Sequence, residues 1–416
     1  MRVRDVVAES ARQFSFERID TPMFENTDLF ERGVGQITDI VEKQMYTFKT
    51  KGKDSLTLRP EGTAPAARSY IENGLANWPQ PVRLYYMGPM FRYEQPQSGR
   101  YRQLHQFGFE IIGEAHPLYD AWLVHVLLAV LRDLGLTQLV IEVNSIGDQR
   151  CRPAYRRALL NYYKNKVNQL CPACKQRYKD NPIRLLDCKE EQCQELKARA
   201  PNLVDHLCED CRKHFMSVLE YLDELKISYL LNPHLVRGLD YYTRTVFEVF
   251  PEDEVNLLNN KDAKEKRSSP SAIAGGGRYD KLIELLGGKD TPAIGFAAGM
   301  ERIIGLMKRN NVKIPQIKKP DVFLVQLGEL GRKKALGLFE MLRKEDLLVA
   351  ENLGRESIKS QLKAADRAGV KIALIVGQKE ALEESVILRE MTTGVQETVP
   401  FHKIVQELKK RLKSIK

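Results

Sequence analysis

Apolar positions in Arg2–Phe14 recur at helical spacing, and Phe16–Ile19 then reads as a strand that stops at Thr21-Pro22. Extended runs follow at Leu56–Leu58, Val82–Met87 and Phe107–Ile112. Such runs, joined by short turns, predict an antiparallel sheet rather than βαβ repeats. Tyr119–Leu134 has the pattern of an amphipathic helix closed by Gly135, and Val140–Val143 reads as another strand. From Cys151 to about Leu231 the chain turns helical, lysine-rich and cysteine-bearing. Strand signals return at Thr245–Phe250, Ile273–Gly275 and Ile294–Ala298, so a helical insertion interrupting one sheet is the simplest arrangement. Glu252–Ser271 is charged and aperiodic and reads as a flexible surface loop. Beyond Ile317-Lys318-Lys319-Pro320, strands at Val322–Leu327, Leu347–Ala350 and Lys371–Val376 alternate with helices at Leu330–Glu345 and Ser357–Ala368. That alternation predicts a small α/β domain with a largely parallel sheet.

With 416 residues, 43% of them hydrophobic and 29% charged, the chain has the make-up of a globular protein of two or three domains. Wholly disordered classes are excluded. The longest apolar run, Trp122–Leu131, is broken by His125 and is too short to span a bilayer. Met1–Phe14 carries charges of both signs and no apolar stretch of the kind a signal peptide needs, so a cytoplasmic protein without a membrane partner is expected. The net charge of +10 is compatible with a polyanionic partner and does not establish one.

All seven cysteines lie between Cys151 and Cys211, which favours reduced thiols or metal ligation over disulfides. Cys171-Pro172-Ala173-Cys174 and Cys208-Glu209-Asp210-Cys211 are two C-x-x-C knuckles, the usual ligand pattern of a tetrahedral structural zinc ion. The expected ligands are Cys171, Cys174, Cys208 and Cys211. Cys188 and Cys193 could supply or replace ligands, and buried inert thiols or a redox pair are the alternatives.

Phe91-Arg92-Tyr93-Glu94, Gly99-Arg100-Tyr101-Arg102-Gln103 and Gln106-Phe107-Gly108-Phe109-Glu110 read as two strands around a polar loop. Arginines at strand ends suit a polyphosphate, because a guanidinium grips two phosphate oxygens at once. Gln106 and Glu110, four apart in a strand, point to one face. A surface hairpin with solvated charges is the plainer alternative. Gly287-Gly288-Lys289 lacks the spacing of a phosphate-binding P-loop and reads as a turn.

The order of the Phe91–Glu110 residues resembles motif 2 of class II aminoacyl-tRNA synthetases, and its details are similar to bacterial histidyl-tRNA synthetases. Thr21-Pro22-Met23-Phe24-Glu25 resembles motif 1, and Gly295-Phe296-Ala297-Ala298-Gly299-Met300-Glu301-Arg302 resembles motif 3. Arg237-Gly238-Leu239-Asp240-Tyr241-Tyr242-Thr243 matches the histidine signature of that family. Leu58-Arg59-Pro60-Glu61-Gly62-Thr63 and Ala274-Gly275-Gly276-Gly277-Arg278-Tyr279-Asp280 match further blocks, and the likeness is collinear over nearly the whole chain.

The resemblance implies an α+β fold: a class II antiparallel sheet with flanking helices, a helical insertion and a C-terminal α/β anticodon-binding domain. The catalytic domain would comprise residues 1–150 and 232–316, the insertion 151–231 and the anticodon-binding domain 320–416. It implies activation of L-histidine with ATP and transfer of histidine to the 3′ end of tRNA(His) by a homodimer. Arg92 and Arg237 would be catalytic, with Arg237 doing work a metal ion does elsewhere. Glu61, Gly62, Thr63, Gln106, Glu110, Tyr241 and Tyr242 would bind histidine, and Gly275–Gly277 would approach it closely. Arg92, Glu94, Arg102 and Arg302 would bind ATP, with Mg²⁺ on the β- and γ-phosphates. Gln95, Gln97 and Arg100 would face the tRNA acceptor end, Gln95 standing where bacterial relatives commonly carry arginine. Lys164, Lys166, Lys175, Arg177 and Lys179 of the insertion would face the acceptor stem or simply solvent. Zinc is not implied and rests on the knuckles alone. A strand and an Arg-Gly-Thr segment are expected ahead of the first helix, within which this chain begins. A non-catalytic paralogue would be expected to lack the C-terminal domain and the histidine signature, and both are present here.

Overall fold

The computed structural model describes residues 2–414 except 36–37, 39, 96–98, 100, 260–270, 315–318 and 355. The chain forms two compact units, Met1–Lys313 and Ile314–Lys416. The first unit contains β1 (Glu17–Arg18), β2 (Phe24–Asn26), β3 (Tyr46–Lys49), β4 (Ser55–Leu58), β5 (Val82–Phe91) and β6 (Gln103–Ile112). It continues with β7 (Leu139–Ser145), β8 (Leu230–Leu231), β9 (Thr243–Pro251), β10 (Ala274–Arg278) and β11 (Ala293–Gly299). Eight of these form one sheet in the order β1-β5-β6-β11-β10-β9-β7-β8, and β2-β4-β3 form a small second sheet. The large sheet is antiparallel except at its two edges, where the two-residue strands β1 and β8 pair in parallel.

Strand β6 shows what sets the register. Phe107, Phe109 and Ile111 are fully buried on one face, where Phe109 stacks on Phe296 of β11 at 5.2 Å and meets Phe16 edge-on at 4.9 Å. Gln106, Gly108 and Glu110 are thereby turned to the opposite face. A one-residue slip would exchange the two sets, burying polar groups against the aromatic core. Helices Arg2–Gln13, Leu118–Asp133, Glu209–Glu224 and Met300–Arg309 cover the aromatic face. The helix expected over Tyr119–Leu134 is present as Leu118–Asp133 and stops at Gly135, whose N–H bonds the Arg132 carbonyl at 2.8 Å.

Strands β7 and β9 pair directly although the whole cysteine-bearing segment separates them in sequence. That segment runs through helices Arg152–Tyr163, Pro172–Asp180, Glu191–Ala198 and Glu209–Glu224 with short 3₁₀ turns between them. One expectation changes nearby. Residues 252–259, read as part of a loop, form the helix Glu252–Asn259, while 260–270 lie outside the described residues. Three acidic residues open that helix, where its dipole favours them, and Arg309 bonds Asp253 at 3.3 Å and Glu254 at 3.0 Å.

A buried ion cluster ties three elements together. Asp120 and Arg278, both 0% exposed, meet at 2.7 Å, and His214 Nε2 lies 3.1 Å from the second Asp120 oxygen. The other Arg278 donors reach Asp280 and the carbonyls of Glu114 and His116. Burial by itself would raise the Asp120 carboxyl, but Arg278 and His214 outweigh it and hold it below its ordinary range. A depressed carboxyl supports the fold above its unfolded value and loses that support as pH falls through the folded one. The cluster is therefore intact at neutrality and weakens only in acid. Arg278→Ala strands the Asp120 charge and is expected to cost about 3–5 kcal/mol at pH 7, read as a lowered urea midpoint.

The second unit contains β12 (Val322–Gln326), β13 (Val349–Glu351), β14 (Ile372–Val376), β15 (Ser385–Glu390) and β16 (Gln396–Pro400), in the order β13-β12-β14-β15-β16. The expected α/β alternation holds through β14, but the sheet is mixed rather than largely parallel. Strands β15 and β16 add antiparallel, with helix Phe401–Ser414 packed on their buried side chains. Among the described residues no helix is long and apolar enough to cross a membrane.

Candidate active site

On the face of the large sheet opposite the aromatic core lies a cavity of about 230 Å³. Glu61, Thr63, Arg92, Glu94, Gln106, Arg237, Tyr241, Tyr242 and Arg302 all line it, although they are scattered over more than half of the chain.

Behind Thr63, which lines this cavity, sits Glu110, 0% exposed on strand β6 and outside the lining itself. Thr63 donates its hydroxyl to Glu110 Oε1 at 2.8 Å, and Tyr279 donates to Oε2 at 2.6 Å. Burial pushes the carboxyl up to about 8 against those two bonds. Across the sheet Glu110 faces Gly295, where a Cβ would lie 1.5 Å from Oε2. Only glycine at this position of β11 leaves room for the carboxyl.

Glu61 sits beside it, and burial raises its carboxyl as well. It accepts from the backbone N–H groups of Thr63 at 2.6 Å and Ala64 at 2.8 Å, capping helix Thr63–Glu72 at the turn made by Gly62. Tyr241 and Tyr242, both buried, close the pocket with rings 4.7 Å apart. Gln106 Oε1 is buried and has no hydrogen-bond partner among the described residues. A buried polar atom of that kind is expected to meet a polar ligand.

The wall above carries the cations. Arg92 Nε donates to the Pro60 carbonyl at 2.9 Å, which fixes the guanidinium at the mouth of the pocket. Arg237 is ion-paired with Glu248 of β9 and lies 5.4 Å over the Tyr242 ring. Burial disfavours its charge, but Tyr242 and Glu248 more than compensate and raise its pKa. Arg302 donates to the Ala272 carbonyl at 2.6 Å and the Gly99 carbonyl at 3.3 Å. The next residue back, Glu301, accepts from the His105 backbone N–H at 2.9 Å and contacts its Nδ1 at 2.8 Å, so strand β6 and the helix after β11 hold each other in place.

Several expectations change in detail. Gly275–Gly277 lie in strand β10 and Gly275 lines the cavity, where a Cβ on it would lie 2.5 Å from the Arg237 guanidinium. Arg102 is exposed outside the cavity lining, over the Tyr93 ring at 4.8 Å. Gln95 is exposed too, while Gln97 and Arg100 lie outside the described residues. The two C-x-x-C knuckles do not share one site. Cys171 and Cys174 gather with Cys188 and Cys193, and Cys208 and Cys211 with Cys151 and Asp148. The segment between the knuckles brings Cys188 and Cys193 to the first, and the turn ahead of helix Arg152–Tyr163 brings Asp148 and Cys151 to the second. Glu248, Tyr279 and the His105–Glu301 pair were not singled out from sequence. Glu248 had a usable signal, a charge inside the apolar run Thr245–Phe250.

Carboxyls and hydroxyls on the floor with three arginines above suit a ligand having amine or imidazole donors at one end and phosphates at the other. Comparison with known proteins agrees. A family model described as histidyl-tRNA synthetase matches residues 1–303, and one described as an anticodon binding domain matches residues 321–411. The histidine–tRNA ligase of Acetivibrio thermocellus is 42% identical over 97% of this chain and 94% of its own length. That of Dehalococcoides mccartyi is 45% identical over 99% of this chain and 95% of its own. The crystal structure of the apo S. aureus histidyl-tRNA synthetase superposes with a TM-score of 0.77 at 34% identity, covering 98% of this chain and 95% of that one. With the model match over most of the chain and these identities nearly end to end, the chain belongs to the histidyl-tRNA synthetase family, the class II ligases that activate histidine with ATP and pass it to tRNA(His).

Proposed function

We propose that the residues of this cavity divide the reaction as follows. Glu110 and Tyr242 face the imidazole ring of histidine, and Tyr241 packs beside it. Glu61, Thr63 and Gln106 take the α-amino group, with Gly62 shaping the turn that presents them. Buried groups matched to both ends of the substrate reject side chains that would leave them unpaired.

The histidine carboxylate attacks the α-phosphorus of ATP and pyrophosphate leaves. Negative charge grows on the α-phosphoryl oxygens, and Arg92 and Arg237, fixed in advance, stabilise it. Arg302 and Glu94 hold the rest of the nucleotide. Mg²⁺ enters with the β- and γ-phosphates, for which Glu94 and Glu301 offer the oxygen donors that ion takes. The 3′ end of tRNA(His) then attacks the histidyl carbonyl and AMP leaves. Gln95, Gln97 and Arg100 face this end, and Arg102 serves the nucleotide side.

Residues 1–150 and 232–316 act as the catalytic domain, 151–231 as the insertion and 320–416 as the anticodon-binding domain. Unstacked anticodon bases offer their edges to such a domain. Met23, Phe24 and Phe48, all about half exposed on or beside the small sheet, are apolar side chains of the kind a homodimer covers. Zinc, expected in the insertion, has a structural part only.

The observation that carries this assignment is the convergence of Arg92, Arg237 and Arg302 with Glu61, Thr63 and Gln106 in one cavity, behind which Thr63 and Tyr279 hold Glu110. Its test is ATP–pyrophosphate exchange with each amino acid in turn. Exchange with histidine alone is expected, and exchange independent of histidine would overturn the assignment.

A further inference from the structure

We propose that the helical insertion binds two zinc ions, one held by Cys171, Cys174, Cys188 and Cys193 and the other by Asp148, Cys151, Cys208 and Cys211. This goes beyond the catalytic assignment and does not rest on it. The chain has seven cysteines, and the two sets use all of them. In each set the ligand atoms lie within 4.8 Å of one another.

The spacing fits one ion per set. Zn–S bonds of about 2.3 Å in a tetrahedron separate the sulfurs by about 3.8 Å. Cys171 and Cys188 Sγ stand 3.8 Å apart. A disulfide would need about 2.05 Å, and all seven thiols are free. A four-iron cluster would put each thiolate on a different iron and spread the sulfurs more widely. Backbone donors also aim at the sulfurs. The N–H of Cys174 points at Cys171 Sγ at 3.4 Å, that of Cys171 at Cys193 Sγ at 3.4 Å, and that of Cys208 at Cys151 Sγ at 3.1 Å. Such bonds favour the thiolate, which is the form that ligates.

Between the two knuckles the local fold consists of helices of 9 and 8 residues and 3₁₀ turns of 6 and 4. Helices that short are marginal on their own. Packed inert thiols would add slight burial and give no reason for two converging sets of four ligands. When zinc binds, each ligating thiol gives its proton to solvent and no redox partner is required.

Each ion would brace a wall of the active site from outside. The first set fixes Asp187–Lys189, which line a second cavity that shares Glu248, Ala272 and Arg302 with the first. The second set fixes the start of helix Arg152–Tyr163, from which Arg152 donates to the Tyr242 carbonyl. None of the ligands touches the reacting groups.

The test is metal analysis of the full chain, produced in zinc-supplemented medium and dialysed without chelator. About two zinc ions per chain are expected, falling to about one in Cys188→Ser and about one in Cys208→Ser. Cobalt exchanged into the protein should show thiolate charge-transfer bands, reduced in each variant. The unaltered protein decides even where a variant does not fold. Less than about half a zinc ion per chain, with all seven thiols open to a thiol reagent, overturns the proposal. One ion lost from Cys188→Ser and retained in Cys208→Ser overturns the second site. A protein carrying two ions but lacking histidine-dependent exchange would count against the catalytic assignment and not against this one.

Discussion

Arg237→Ala is expected to lower histidine-dependent ATP–pyrophosphate exchange by about 10²–10³-fold, the usual cost of removing one preorganised donor from a developing oxyanion. The loss should fall mainly on kcat, because charge on the α-phosphoryl oxygens grows only as the reaction proceeds. Arg237→Lys separates charge from geometry. An ammonium restores the cation but not the planar two-point fork, so activity between wild type and alanine is expected. The ion pair with Glu248 complicates the alanine variant, because truncation leaves that carboxylate without its partner. Glu248→Gln beside Arg237→Ala, with melting temperatures of both, shows whether lost activity follows lost folding. Exchange within about threefold of wild type in a folded Arg237→Ala protein would remove this residue from the chemistry.

Glu110→Gln should act on histidine itself, raising its KM and lowering kcat/KM on the order of 10²–10³-fold. The amide keeps the shape and can still bond Thr63 and Tyr279, so the fold is expected to survive. What it loses is an acceptor that becomes a carboxylate when an imidazole N–H is presented to it. Burial pushes Glu110 up to about 8, so below that pH histidine would displace a proton from it. Binding through the carboxylate therefore releases a proton. The KM for histidine is expected to fall as pH rises from 7 and to level off above about 8. In Glu110→Gln that inflection should be absent. A wild-type KM flat across this range, or an inflection kept in the variant, would mean that Glu110 does not titrate against the substrate.

Much of the fold was legible because β5, β6, β9 and β11 are short apolar runs bounded by turns, and in β6 aromatic and polar side chains alternate. Phe107, Phe109 and Ile111 between Gln106, Gly108 and Glu110 announce both a strand and the face that carries chemistry. The mixed sheet of the second unit was harder to read. Ser385–Glu390 and Gln396–Pro400 are short, half-polar strands whose pairing is settled by the helix Phe401–Ser414 that covers them. The residues of the cavity could be named only through the resemblance of their order to a family, since arginines and tyrosines in isolation have many uses. Their partners are harder to read: Tyr279 meets Glu110 from far along the chain, and no local spacing reveals such a pair. The cysteines failed for the same reason: each knuckle is obvious, but its other two ligands are chosen by tertiary packing.

The place where the insertion joins the sheet carries a consequence for how such proteins diversify. The chain leaves at the end of β7 and returns through β8, which lies alongside β7, before entering β9 on its other side. Exit and re-entry are thus neighbours, and closing the gap costs about the same small chain entropy whatever stands between them. A lobe at this junction can grow or shrink without shifting the register of strand β6, which carries Glu110, or of β11, which leads into the helix of Arg302. Length changes in the lobe are therefore absorbed at the seam, while its contacts to the pocket, such as Arg152 on the Tyr242 carbonyl, are the part that must be kept.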